Sequence, residues 1–188
     1  MNRLILASGS PRRKELLQKL QVPFDIFPSD ADENLPEGIA PDKAVLLLAE
    51  RKAKTVAESF PEDIVIGSDT VVALGDEILG KPLDSDDAKS TLKKLSGRTH
   101  SVFTGVSIIK DGEPQSFFEK TDVTFWALTD EEINRYIETG EPFDKAGSYG
   151  IQGYGSLFVK EIKGDYYSVV GLPVSRLYRE LKSAGLSF

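Results

Sequence analysis

The chain has 188 residues, and its 30 acidic and 23 basic side chains give a formal net charge of −7. It contains no cysteine, which excludes disulfides, zinc-thiolate centres and thiol nucleophiles. Its single histidine, His100, argues against imidazole metal sites and against a Ser-His-Asp triad. No apolar run approaches the roughly 20 residues that span a bilayer.

A chain of this length buries about 70% of the surface that it exposes when unfolded, so its core needs no covalent reinforcement. We expect one domain over residues 1–188, located in the cytoplasm and without membrane contact. Because the net negative charge repels polyanions, we expect no nucleic-acid partner. Any positive site is local and suits a mononucleotide or metabolite.

The first predicted elements are a strand, a tight loop and a helix. An apolar run at residues 4–7 leads into the Ser-Gly-Ser loop at residues 8–10, after which leucines recur at helical spacing. Ser10 lies at the expected N-cap, and Pro11 lies at the first helical position, where its missing N–H costs nothing. The sequence therefore predicts a well-defined helix start.

Two arginines occupy the first turn of this helix. At Arg12 and Arg13 the free backbone N–H groups and the helix dipole already make the potential positive. A phosphate bound against the loop would explain the cations, since N–H groups and guanidinium forks both bind phosphate. Side chains that simply point into water would explain the two arginines equally well.

Acidic residues follow in a polar loop. A short strand at residues 24–27 gives way to the loop at residues 28–38, which carries Asp30, Asp32 and Glu33. Loops of this length in a compact domain are often functional. Solvated loop charges remain the alternative for each acid.

Lys52 lies on the apolar stripe of the next helix. The helix is predicted from Asp42 to about Phe60 after Pro41, and at 100° per residue Lys52 falls among its apolar positions. A lysine there either extends to the edge of the apolar surface or presents its ammonium group inside a cleft.

The following strand and turn supply two more candidates. Residues 63–74 read as a central apolar strand that residues 67–70 interrupt, which places Asp69 near a buried strand end. A carboxylate there needs a cation, a metal or N–H donors as a partner. Lys81 lies between Gly80 and Pro82, and an ordinary turn lysine is an equal alternative.

The remaining elements are predicted from capping and turn signals. They are a helix from Ser85 that ends at Gly97, a long hairpin of residues 99–110 and 116–126, a helix from Thr129 through Tyr136, a second hairpin of residues 157–162 and 166–170, and a final helix that begins at Pro173.

A glycine-rich segment precedes the second predicted hairpin. Residues 147–155 contain four glycines together with two tyrosines and Gln152. Such a composition is typical of an irregular loop whose backbone closely approaches a ligand or another part of the chain. This composition fits a loop that binds a ligand and fits equally well a hinge between two lobes.

These features together resemble the Maf family over essentially the whole chain. The matching motifs, in order, are Ser8–Arg13, Glu33, the helix that carries Lys52, Gly67–Thr70, Gly80–Pro82, Asp144–Gly153 and Val170–Pro173. One departure is Ser148, where the family more often has alanine. Walker A and Rossmann glycine patterns are both absent from the sequence.

The resemblance implies an α/β fold with a long twisted mixed β-sheet flanked by helices, in two lobes with an active-site cleft between them, as in Maf and ITPase-like proteins. It implies a nucleoside triphosphate pyrophosphatase that uses a divalent metal cation, Mg²⁺ or Mn²⁺, and forms a homodimer. The stretch around Gln152 resembles the subfamily that hydrolyses dTTP and UTP, which suggests a house-cleaning role that extends to modified pyrimidine nucleotides.

The resemblance also implies residue roles at the triphosphate. Glu33 and Asp69 would hold the metal, and Asp69 would accept a proton from the water that attacks the α-phosphorus. The two roles compete for the one carboxylate of Asp69. Arg13, Lys52 and Lys81 would neutralise the phosphate oxygens.

The resemblance implies further roles in binding the phosphates and in selecting the base. Ser8 and Ser10 would add hydroxyl or backbone donors to the phosphates. The Gln152 amide offers a donor and an acceptor to the N3–H and O4 edge of uracil or thymine. Arg12 and Thr70 would complete base selection.

Two other readings remain open. A nucleotide-binding regulator of septum formation would keep the phosphate site without turnover, although a pure binder gains little from two acids beside a triphosphate. A 7-methyl-GTP pyrophosphatase would keep the reaction and change the base.

Overall fold

A computed structural model describes residues 3–188, and in that part of the chain six α-helices surround one sheet of seven strands. The strands are β1 (Leu4–Leu6), β2 (Phe24–Ile26), β3 (Ile64–Leu74), β4 (Glu77–Leu79), β5 (Thr99–Lys110), β6 (Glu113–Phe125) and β7 (Val159–Lys163). The helices are α1 (Pro11–Gln18), α2 (Pro41–Ala57), α3 (Ser85–Leu95), α4 (Asp130–Glu138), α5 (Tyr166–Val170) and α6 (Val174–Ser183). Over residues 3–188 no helix is both long and apolar enough to cross a membrane.

The sheet is mixed, as predicted, and it is open. Its strand order is β2-β1-β3-β5-β6-β7, and β4 pairs with β3 beside this path. Strand β1 runs parallel to β2 and β3, whereas β3, β5, β6 and β7 pair antiparallel in succession. The central strand β3 therefore joins the parallel part of the sheet to the antiparallel part.

Helix α2 packs unusually closely on the sheet because two glycines lie beneath it. A Cβ atom on Gly67 would lie 2.2 Å from the carbonyl oxygen of Ala49, and one on Gly105 would lie 2.3 Å from that of Val45. Only glycine permits this approach. The close packing places Lys52, on the sheet-facing side of α2, directly over β3.

Most helix-start predictions are confirmed. The Ser10 hydroxyl caps α1 by accepting a hydrogen bond from the Arg13 N–H at 3.4 Å, and Pro11 is the first helical residue. At α4, Thr129 and Glu132 form the predicted reciprocal capping box. Local side-chain chemistry thus sets these helix starts, as expected for capping residues.

The predicted interruption of the third strand is wrong. Strand β3 is continuous from Ile64 to Leu74, and its pairing with β5 keeps one register from Val65 to Ala73. Asp69 therefore lies within the strand and not at its end. Pairing with strands on both sides outweighs the low strand propensity of the Gly-Ser-Asp-Thr segment.

The predicted second hairpin is also wrong. Residues 166–170 form helix α5, whose first turn is capped by the Asp165 side chain, 2.9 Å from the Ser168 N–H. Strand β7 begins at Val159 and pairs with β6. The N-cap aspartate was the signal that the aromatic and β-branched composition of this stretch obscured.

Candidate active site

A cavity of about 510 Å³ lies over the middle of β3. Its walls come from the start of α1, the sheet-facing side of α2, the turn after β4, the glycine-rich segment and the end of α5. Every site residue predicted from the sequence lines it except Ser8: Ser10, Arg12, Arg13, Glu33, Lys52, Asp69, Thr70, Lys81 and Gln152. Elements distant in sequence thus converge on one pocket.

Lys52 lies between the two predicted acids. Its Nζ atom is 2.6 Å from Asp69 Oδ1 and 2.7 Å from Glu33 Oε1. The side chains of Lys52 and Asp69 are each 13% exposed, whereas that of Glu33 is 65% exposed. Lys52 therefore presents its ammonium group inside the cleft and does not extend to the edge of the apolar surface.

The cations of the pocket lower the pKa of the Glu33 carboxyl group. The hydrogen bond from Lys52 holds the pKa of the Glu33 carboxyl below its ordinary value, and the nearby charges of Lys52, Lys81 and Arg13 act in the same direction. Partial burial opposes them. The same positive potential is available to the oxyanions of a ligand.

Arg13 is fixed by three hydrogen-bond acceptors. Its guanidinium group donates to the Gly171 carbonyl oxygen at 2.8 Å, to Thr70 Oγ1 at 3.2 Å and to Ser8 Oγ at 3.4 Å. Burial lowers the pKa of Arg13 from its ordinary value, while the charges of Asp69 and Glu33 oppose that shift. An arginine held in this way does not point into bulk water.

These contacts explain the location of Ser8. Its hydroxyl accepts hydrogen bonds from the Ser10 N–H at 3.3 Å and from Arg13, and Ser8 itself is buried. In this structure Ser8 shapes the loop and orients Arg13 from behind the cavity surface.

Arg12 diverges from Arg13 towards the glycine-rich segment. Its Nη1 atom is 3.6 Å from Asp144 Oδ2, and Asp144 Oδ1 is 2.7 Å from Lys145 Nζ. The hydrogen bond from Lys145 lowers the pKa of the Asp144 carboxyl, and Arg12 contributes further. The two arginines therefore contact different parts of the pocket lining.

Lys81 and Gln152 lie on the open side of the pocket. Lys81 follows β4 and Gln152 lies in the glycine-rich segment, and both side chains are exposed. Their amine and amide groups are accessible to a ligand within the cavity.

The donor set fits a metal that arrives with a phosphate ligand better than a resident metal cage. Over residues 3–188 no group of three or more His, Asp or Glu side chains is arranged to hold an ion. Glu33 and Asp69 do share one partner, so their oxygens lie close together. Mg²⁺ is commonly bound by one or two carboxylates plus substrate phosphates, which matches this pair.

Sequence reasoning missed three participants. Thr104 is buried beneath the site and contacts it through Thr70, its partner across β3 and β5, with the two Oγ1 atoms 2.8 Å apart. The Gly171 carbonyl group and Asp144 were also missed as functional groups, although both residues lie in motifs that resemble the family. Strand register alone reveals Thr104.

Comparisons with known proteins agree with this geometry. The Maf-like protein family model matches residues 3–184. A Bacillus cereus protein named dTTP/UTP pyrophosphatase is 56% identical over 182 residues, which cover 97% of this chain and 95% of the relative. A Bacillus cytotoxicus protein of the same name is 55% identical over 182 residues, with the same coverage of both chains.

A structural comparison supports the fold. The solved structure of the Staphylococcus aureus Ham1 protein has a TM-score of 0.53 and 10% sequence identity, and the match covers 97% of this chain and 100% of the Ham1 chain. At that identity the likeness concerns the fold alone. The family match over nearly all residues, together with relatives that are more than half identical, shows that this chain belongs to the Maf family.

Proposed function

We propose that this protein hydrolyses dTTP and UTP to the nucleoside monophosphate and pyrophosphate. The observation that carries this proposal is its 56% identity, over 97% of the chain, to a protein named dTTP/UTP pyrophosphatase. The cavity supports it, because cations and carboxylates line one volume of about 510 Å³. Phosphoryl chemistry needs both types of group.

In this proposal a water molecule attacks the α-phosphorus. The bond from that phosphorus to the oxygen that bridges the α and β positions breaks, and pyrophosphate leaves. Arg13, Lys52 and Lys81 neutralise the phosphate oxygens, and the fixed position of Arg13 limits the reorganisation needed as charge develops. Ser10 offers a further donor at the helix start, where phosphates bind readily.

Asp69 is the proposed general base. One of its carboxylate oxygens accepts a hydrogen bond from Lys52, which fixes the orientation of the group over β3. The second oxygen can then take a proton from water. A positioned general base contributes about 10²-fold to 10⁴-fold to a rate.

Glu33 and Asp69 are the residues that would hold Mg²⁺ or Mn²⁺. When bound, the ion supplies positive charge to the phosphate oxygens. Because both carboxylates contact Lys52, this lysine competes with any cation for them.

We assign base recognition to the part of the pocket that carries Gln152. The Gln152 amide can pair with the N3–H and O4 edge of uracil or thymine. Arg12 and Thr70 complete base selection, whereas Ser8 supports the phosphate-binding group Arg13 through its hydrogen bond. The same edge is available in pyrimidine nucleotides modified elsewhere on the ring, which supports a house-cleaning role.

The proposal extends to the setting of the protein. A cytoplasmic location agrees with the absence of cysteine from the sequence, and the net charge of −7 disfavours nucleic acid. A single domain agrees with a family match that spans residues 3–184. Family resemblance supports a homodimer, which sedimentation would measure.

The test is a panel of canonical and modified nucleoside triphosphates with Mg²⁺ or Mn²⁺ and measurement of pyrophosphate release. We expect the highest kcat/KM for dTTP and UTP. A preference for 7-methyl-GTP would overturn the assignment of Gln152. Release from none of the nucleotides would favour a regulator that binds nucleotides without turnover.

A further inference from the structure

The glycine-rich segment is held by a single carboxylate from outside the cavity. Glu141 Oε1 accepts hydrogen bonds from the Tyr136 hydroxyl at 2.9 Å and the Gly155 N–H at 3.2 Å. Glu141 Oε2 accepts one from the Tyr154 N–H at 2.9 Å. The Tyr136 hydroxyl in turn accepts one from the Gly150 N–H at 3.1 Å. Backbone amides on both sides of Gln152 are therefore tied to one acid.

The glycines in this segment make room for that carboxylate. A Cβ atom on Gly153 would lie 2.1 Å from Glu141 Oε2, and a Cβ atom on Gly150 would lie 2.6 Å from Lys145 Cε. Lys145 also donates to the Glu141 carbonyl oxygen at 2.9 Å. Two of the four glycines therefore leave room for Lys145 and Glu141, whereas Gly147 lies against Val72 and Gly155 against the Gly150 carbonyl oxygen.

Glu141 and Tyr136 are absent from the cavity wall, whereas Gly150, Gln152 and Gly153 line it. Tyr136 is only 3% exposed, so the network has a buried and rigid base. Glu141 can therefore influence a ligand only through the segment that it holds.

We propose that Glu141 is a positioning residue that sets base specificity by fixing the segment that carries Gln152. This inference rests on the proposed function, in which Gln152 contacts the pyrimidine base. An amide selects between bases only when its donor and acceptor are held in place, because the discrimination comes from leaving the wrong base unpaired.

A glutamine at position 141 cannot keep all of these bonds. A carboxylate accepts on both oxygens, whereas an amide accepts on one and donates from the other. With its nitrogen at the Oε2 position it opposes the Tyr154 N–H, and with its nitrogen at the Oε1 position it opposes the Gly155 N–H. Glu141→Gln therefore releases one backbone amide of the segment while nearly preserving side-chain volume.

The kinetic test compares Glu141→Gln with Glu138→Gln, a matched change at an exposed acid on α4. We expect Glu141→Gln to raise KM for UTP and dTTP about tenfold, as for loss of a hydrogen bond to a charged group, with kcat within about threefold of wild type. Its preference for UTP over CTP, which lacks N3–H and O4, should fall. Glu138→Gln should behave as wild type.

An unchanged KM and UTP/CTP ratio in Glu141→Gln would overturn the proposal. So would an equal loss of kcat for all nucleotides without a change of KM, because that result places the effect at the phosphates. If Glu141→Gln fails to fold by circular dichroism, Tyr136→Phe takes its place. That variant loses the hydroxyl between Glu141 and Gly150, and the same split between KM and kcat is expected.

Hydrogen–deuterium exchange separates this inference from the proposed function. In the ligand-free protein, either the Tyr154 or the Gly155 amide should exchange about tenfold faster in Glu141→Gln than in wild type, with no change in Glu138→Gln. Equal exchange in both variants would overturn the positioning role. Wild-type protein that cleaves neither UTP nor dTTP, with the expected exchange pattern, would overturn the proposed function and leave the role of Glu141 in the segment intact.

Discussion

Lys52 is the residue around which the charges of the pocket are arranged. Its ammonium group contacts Asp69 and Glu33 at 2.6 and 2.7 Å, and two of these three side chains are largely shielded from water. Removing one member leaves the others with unbalanced charge in a partly buried site. Such sites respond strongly to single substitutions.

Asp69→Asn keeps the shape of the side chain and removes the proposed proton acceptor. We expect kcat for UTP to fall by about 10²-fold or more, because a general base contributes at least that much, while KM changes little. Steady-state pyrophosphate release measures both constants. Asp76→Asn, at an exposed turn, is the control. Full turnover by Asp69→Asn would contradict the proposed mechanism.

For individual residues, the sequence predicts which of them converge on the pocket but not which of them form hydrogen bonds with each other. The position of Lys52 on the apolar stripe of a helix left two alternatives open, the edge of the apolar surface or the inside of a cleft, and the structure places its ammonium group inside the cleft. The bonds of Arg13 to Thr70 and Gly171 could not be predicted, because they join residues far apart in the chain. Only the folded backbone sets those distances.

Helix α2 and strand β3 form the element pair that positions the charged cluster. The pair depends on close approach at Gly67, where any Cβ atom would lie 2.2 Å from a backbone oxygen of α2. A backbone oxygen cannot rotate away as a side chain can. The spacing between helix and strand therefore governs how Lys52 reaches Asp69.

Gly67→Ala should lower the free energy of unfolding by about 3 kcal/mol, the upper part of the range for overpacking. Urea denaturation monitored by circular dichroism measures it. The matched control is Gly80→Ala, where an added Cβ atom meets nothing within 4 Å, and we expect a change below about 1 kcal/mol. Equal stabilities of the two variants would show that α2 does not depend on this contact.

Helices and strands were predicted correctly where a local signal, such as a capping side chain, determines the structure. The predictions were wrong where pairing with distant strands determines it. Ser10 and Thr129 fixed helix starts through their own hydroxyl groups. Strand β3 continues through residues 67–70 because β1 and β5 pair with it, and that pairing cannot be read from the segment. Helix α5 was mistaken for a strand because its tyrosines and valines favour strands in isolation.

His100 links the stability of the whole molecule to pH. Burial lowers the pKa of His100 to about 4, from an ordinary value of 6.5. Its Nε2 atom lies 2.6 Å from the hydroxyl of buried Tyr149. Within residues 3–188 its Nδ1 atom has no hydrogen-bond partner, so protonation of the ring gains little in the fold.

Above pH 6.5 the imidazole of His100 is neutral in both the folded and the unfolded chain, so the stabilisation that it contributes is at its maximum. As the pH falls from 6.5 to about 4, the unfolded chain binds a proton that the folded chain does not, and stability falls. The full effect is about 3 kcal/mol. We expect the stability difference between wild type and His100→Gln to shrink by that order between pH 7 and 4 in urea denaturation. A constant difference would contradict this prediction.

The overall architecture was predicted from the resemblance to the Maf family more than from local sequence patterns. The alternation of elements indicated an α/β protein, and the mixed sheet was expected from the resemblance to Maf proteins. The order β2-β1-β3-β5-β6-β7 brings residues near position 13, position 69 and position 152 to one cavity. No sequence pattern within a single segment contains that information.

Hydrolysis of UTP in water enriched in oxygen-18, followed by mass spectrometry of the products, shows which phosphorus atom the water attacks. Attack at the α-phosphorus predicts UMP that carries one labelled oxygen, released with unlabelled pyrophosphate in equal amounts. Label in the pyrophosphate, or formation of UDP and phosphate, would contradict the account of this cavity as a pyrophosphatase site.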